Sequence, residues 1–135
     1  MFDTVAQRLV IPLLLRLGLA VIFIYHGWDL VGGEGHNWGT SWNPSLPPVG
    51  QAAVAWGELI GGLALAIGFL TRLAAAGIAV IMIGAIATVH WPNGFDLRHG
   101  GFEYNFAILV MCAALIVGGG GTWAVDRLFR RKRPT

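Results

Sequence analysis

Four long apolar runs, each closed by glycine, proline or polar residues, dominate this chain. They fall at about Leu9 to Leu30, Gln51 to Leu70, Leu73 to Trp91 and Tyr104 to Trp123. Crossing a bilayer takes roughly 20 apolar residues in a helix, and a helix satisfies its own backbone hydrogen bonds in hydrocarbon. Of 135 residues, 56% are hydrophobic and only 12% charged, more apolar surface than a soluble domain of this size could cover. The expected fold is all-α: one integral membrane domain, residues 1–135, folded as a four-helix bundle.

The first run does not read as a cleaved leader. Its apolar stretch is too long, Arg16 lies inside it and no small-residue cleavage site follows, so it is expected to stay in the mature protein. With four spans, Arg8, Arg72 and the cluster Arg127, Arg130, Arg131, Lys132 and Arg133 share one side. The positive-inside rule makes that side cytoplasmic, with both the N- and C-termini. The connections Val31 to Gly50 and Pro92 to Glu103 hold one basic residue, Arg98, and are expected to face outward. The net charge of +2 then reflects topology, with membrane lipid as the partner of the basic tail and no nucleic-acid binding expected.

Cys112 is the single cysteine, which excludes an internal disulfide or dithiol exchange within the chain and reads as a small buried hydrophobe. Pro44, Pro47 and Pro48 mark the first outer loop, where Trp38 and Trp42 are suited to anchoring at the membrane interface. Pro12 is expected in the first turn of its helix, where a missing N–H costs little.

Glu58 interrupts Val49 to Leu70, a run with no other charge. A carboxylate at that depth requires a partner, a proton or a task. At helical spacing it shares a face with Gly61, Gly62 and Leu65, while Gly57 and Gly61 form a GxxxG pair, which turns Glu58 toward another helix. Arg16, Ala20, Phe23 and Gly27 share a face of the first span, and Glu103, Ala107, Val110, Ala114 and Gly118 one of the fourth. By depth, Arg16 lies toward the inner side, and Glu58, His26, His90 and Glu103 occupy the outer half.

These five form the candidate catalytic cluster, and Arg16 is expected to reach Glu58 across the middle of the bundle. A structural ion pair fixing helix register fits the same residues as well as a functional one. Histidines near helix ends are also common at the interface. Two histidines and two carboxylates are metal-ligand types, but no HxxxH or ExxH spacing places two on one turn, so no metal site is expected. His36 and His99 belong to loops.

Arg16 followed by Phe23, His26 and Gly27, then Glu58, Gly61, Gly62, Leu65, Gly68, Thr71 and Arg72, resembles the DoxX family of small bacterial four-helix membrane proteins. The resemblance continues through His90, Gly94, Phe95 and Glu103 to the glycines before Trp123 and Asp126, and its most specific part is ExxGGxxLxxGxxTR. One departure is Leu30, beside Asp29, where a lysine is often found.

The resemblance implies a multi-pass protein of the bacterial cytoplasmic membrane. It also implies an oxidoreductase link, since the family includes the membrane subunit of a thiosulfate:quinone oxidoreductase and other members look like partners of redox enzymes. On that basis the leading expectation is a quinone-linked oxidoreductase subunit, with quinone as cofactor and Glu58, His26, His90 and Arg16 supplying hydrogen bonds and a proton route. No GxGxxG, CxxCH or iron–sulfur cysteine set accompanies them, so electrons would come from a partner redox protein or a small reductant. A second expectation is a non-catalytic accessory subunit of a larger membrane redox complex, consistent with six tryptophans and glycine-lined faces. A small transporter ranks last, as no internal repeat is visible.

Overall fold

A computed structural model describes residues 2–130, so Arg131, Lys132 and Arg133 of the basic cluster lie outside the described residues. Four apolar helices carry the architecture: α1 Phe2–Gly32, α2 Pro48–Ile67, α3 Thr71–Asn93 and α4 Glu103–Gly118. The first three are long and apolar enough to cross a membrane. α1 lies mainly on α2 and α3 on α4, and further contacts of α2 with α3 and of α1 with α4 close the ring. One end carries the loops after α1 and α3 and is called here the loop end. The other carries Arg8, Arg72, Arg127 and Arg130 and is the arginine end.

α4 is shorter than its apolar run. It has 16 residues and stops at Gly118 rather than Trp123, because Gly119, at φ 77°, turns the chain. At about 1.5 Å per residue it covers roughly 24 Å, less than the hydrocarbon thickness of about 30 Å. The segment after it folds under the bundle as a short 3-10 helix, Val125–Phe129.

The core joins Leu19, Ala20 and Phe23 of α1, Leu65 of α2, Ala75, Ile78 and Met82 of α3, and Ile108, Cys112 and Leu115 of α4. The faces expected for the first two spans are buried: Arg16, Ala20, Phe23 and Gly27 on α1, and Glu58, Gly62 and Leu65 on α2. Glycine there sets the helix separation. A Cβ at Gly62 would stand 2.8 Å from the Ile24 backbone nitrogen, so α1 and α2 touch backbone to backbone. Gly57 and Gly61 instead admit Ile81 and Ile78 of α3.

The fourth face differs from expectation. Glu103, Ala107, Val110, Ala114 and Gly118 are exposed, and α4 buries Asn105, Ile108, Cys112 and Leu115. Large Ile and Leu side chains fill the space between helices, and the small residues are left facing out.

Pro12 also departs from expectation, because α1 begins at Phe2 and places the proline well inside the helix. A proline there cannot donate and its ring crowds the carbonyl four residues earlier, that of Arg8. The helix widens into a π segment over Ala6–Val10, and the Arg8 carbonyl accepts instead from the Thr122 N–H at 2.8 Å and the Thr122 hydroxyl at 3.0 Å. The proline thus creates the acceptor that ties the segment after α4 to the start of α1.

Candidate functional site

Arg16 is 2% exposed, and its partners are backbone carbonyls. Nε donates to Leu65 O at 2.9 Å and Nη2 to Ala66 O at 3.1 Å, while Nη1 donates to Gly120 O and Trp123 O, both at 2.9 Å. Leu65 and Ala66 end α2, whose last carbonyls lack helical donors and carry the negative end of the helix dipole. Gly68 makes room for this arrangement: its φ is 74°, and a Cβ there would stand 2.8 Å from Arg16 Cζ.

Asp126 extends the same structure to α3. Its carboxylate accepts from the backbone N–H groups of Leu70 and Thr71, capping the α3 N-terminus. Partial burial pushes its carboxyl up, but the Thr71 and Leu70 N–H groups and the nearby Arg16 charge outweigh this and hold it below the usual carboxylate range. Gly68, Thr71 and the glycines after α4 therefore form one joint at the arginine end.

The expected Arg16–Glu58 pair is not formed. Arg16 is spent on carbonyls at the far end of α2, seven residues and about 10 Å along the helix from Glu58. Glu58 is 7% exposed, makes no ion pair or hydrogen bond among the described residues, and leaves Oε2 buried without a partner. Tyr104, 38% exposed, stands in the first turn of α4 in the same half of the bundle. Asn105, 5% exposed in the same half of the bundle, donates from Nδ2 to Met82 Sδ at 3.4 Å, a weak acceptor.

The other three candidates are held elsewhere. His26 is exposed on α1, edge-on to Tyr25 at 5.5 Å between ring centroids. His90 ends the π segment Ile86–His90, where its Nδ1 is 2.8 Å from Gly100 O. Glu103 is exposed and accepts from the Leu97 N–H at 3.1 Å. His90 and Glu103 thus brace the loop between α3 and α4, and the expected five-residue cluster resolves into a buried Glu58 with its partners at three other places. His90 and Glu103, near helix ends, had backbone groups of the adjoining loop to serve, and these outcompeted a distant carboxylate. Among the described residues no three His, Cys, Asp or Glu side chains gather as a metal site would require.

Three structurally important polar residues were given no role from the sequence. Asn105 stands two positions after Glu103, and its burial follows from the rotation of α4 described above. Asp126 follows a glycine run that hid its role as a cap. Gln51, 3% exposed, accepts at Oε1 from the N–H groups of Trp42 and Asn43 at 2.7 and 2.9 Å and donates to Leu46 O at 2.8 Å. With the Trp42 indole donating to Gln51 O at 3.0 Å, it locks the first loop onto α2, so Trp42 serves the loop while Trp38 stays 72% exposed.

Comparison with known proteins places this geometry in a family. An uncharacterized protein of Haemophilus influenzae is 28% identical over 91% of this chain and 85% of its own length. A Bacillus subtilis protein named "Putative oxidoreductase CatD" is 31% identical over 84% of this chain and 83% of its own. No solved structure gives a significant match. The DoxX family model matches residues 11–91, which include the α1 and α2 faces with Arg16 and Glu58 and extend to the end of the α3 π segment. This chain is a multi-pass membrane protein that belongs to the DoxX family.

Proposed function

We propose that the chain is the membrane subunit of a quinone-linked oxidoreductase, in which Glu58 exchanges protons with a quinone taken from the lipid phase. The observation that carries this reading is the Glu58 carboxyl, buried between helices with Oε2 unpartnered. A structural carboxylate at that depth would be paired, whereas a carboxyl free of cations can take up and give back a proton. A bound quinone would supply two-electron, two-proton chemistry in an apolar setting. Tyr104 and Asn105 are hydrogen-bonding groups in the same half of the bundle and are assigned to orienting the ring. An apolar groove of about 410 Å³ is lined by Ile83, Ile86, Ala87 and Trp91 on α3.

The oxidoreductase name of the Bacillus relative supports the same reading. Arg16, His26, His90 and Glu103 take no part in the proton step, since their contacts are to carbonyls, a ring, a loop and a backbone N–H. Electrons enter from a partner redox protein or a small reductant. The setting is the bacterial cytoplasmic membrane, with the arginine end inside.

The test is binding of a quinone analogue to the purified protein. Saturable binding is expected in the wild type, weakened about tenfold or more in Glu58→Gln, as for loss of a charge-capable hydrogen-bonding group. Because Glu58 makes no hydrogen bond or ion pair among the described residues, the same variant should melt within about 1 kcal/mol of the wild type. Absence of saturable binding in both proteins overturns the proposal. A large stoichiometric partner retained in gentle detergent would then favour an accessory subunit without chemistry of its own.

A further inference from the structure

The arginine end holds a cleft of about 940 Å³ between the first turns of α1, the start of α3 and the segment that follows α4. Arg8, Arg72, Arg127 and Arg130 line it, together with Gly120 and Gly121. No carboxylate neutralises the four arginines: ion pairs among the described residues are confined to Asp96, at the loop end. The one acid in the lining, Asp126, has both oxygens engaged by the N–H groups of Leu70 and Thr71. Four guanidinium groups around one cavity repel one another, and an anion placed among them turns that repulsion into attraction.

The glycine run adds an independent observation. Gly119, whose φ of 77° is what requires glycine there, lies in ordinary contact with Arg72: a Cβ on it would stand 3.4 Å from both Nε and Nη2 of that guanidinium. The N–H groups of Gly120 and Gly121 have no backbone acceptor among the described residues, although both residues line the cleft. Planar guanidinium forks beside unspent backbone N–H groups are the donor set that matches phosphate oxygens.

We propose that this cleft binds a phosphate-bearing anion, with the headgroup of an anionic phospholipid and a soluble phosphate as its two sources. The cleft lies at the arginine end of the apolar helices, and its volume far exceeds that of a single inorganic ion. This site is separate from Glu58, and it stands or falls independently of the quinone reading.

The experiment uses the full chain in phosphatidylcholine nanodiscs and two probes, short-chain phosphatidylglycerol and pyrophosphate, with short-chain phosphatidylcholine as the neutral control. Saturable binding of phosphatidylglycerol over the neutral lipid is expected, weakened about tenfold or more in an Arg72→Gln, Arg127→Gln double variant, on the scale of lost charge-assisted hydrogen bonds. Arg98→Gln, which removes the same charge at the loop end, should leave binding unchanged. Competition by pyrophosphate identifies a soluble phosphate as an accepted ligand, and phosphatidylglycerol binding without such competition identifies the lipid. If the double variant does not fold, Arg130→Gln, at an exposed position, carries the comparison. No saturable binding of either probe, or an equal loss in Arg98→Gln, overturns the proposal.

Discussion

A guanidinium 2% exposed, with no carboxylate in contact among the described residues, is housed at Arg16 by four carbonyl oxygens, two of them at a helix end where acceptors are in surplus. The residue does the work of a C-cap and of a clasp, joining α2 to the segment after α4. Truncating it removes the side-chain donor from Ala66, Gly120 and Trp123 O, while Leu65 O keeps the Gly68 N–H. Each stranded acceptor costs about 1–3 kcal/mol, so Arg16→Gln should destabilise the protein by at least about 2–4 kcal/mol. Arg16→Lys should recover only part of this, because an ammonium keeps the charge but cannot reach four carbonyls with a planar fork. Thermal melting in detergent checks both. Equal melting of Arg16→Gln and wild type would mean that the carbonyls find other donors.

Helix ends, more than helix middles, use the polar residues of this chain. α3 begins on the Asp126 carboxylate, the first loop is seated on α2 by Gln51, and the loop before α4 is held by His90 and Glu103. The Asp126 cap has a pH signature. Its carboxyl is held below the ordinary value of 3.8, so its contribution is complete above that value and disappears as the pH falls through the lower folded value. Melting temperature should therefore drop as the pH is taken below about 4. Asp126→Asn should be less stable at neutral pH, by about 1 kcal/mol as for a lost cap, and should show a flatter acid limb. Asp96, held low by its hydrogen bonds from Arg98, leaves part of the acid slope in place. An acid limb identical in the two proteins would remove Asp126 from the account.

At the scale of the whole molecule, the four-helix bundle was legible because lipid leaves a long apolar run few alternatives to a helix, and glycines at helical spacing marked the α1–α2 contact. The burial of Glu58 against a neighbouring helix was legible from those same glycines. The destination of Arg16 was not, because periodicity gives a side chain's direction but not the carbonyls that a later glycine turn brings beneath it. The rotation of α4 was hidden by a helix apolar on nearly every side, whose buried face is chosen by packing rather than by pattern. What joins the ends is clear in the structure: Thr122 on the Arg8 carbonyl and Arg16 on Gly120 and Trp123 put the start of α1 and the segment after α4 at one end. The excess of arginine there predicts that this end is cytoplasmic. Single cysteines test it, since the native Cys112 is 0% exposed. Ser45→Cys, in the exposed first loop, should react with a membrane-impermeant maleimide in intact cells freed of their outer barrier. Arg127→Cys should react only after the membrane is opened. The reverse pattern would invert the bundle and turn the arginine cleft toward the outer leaflet.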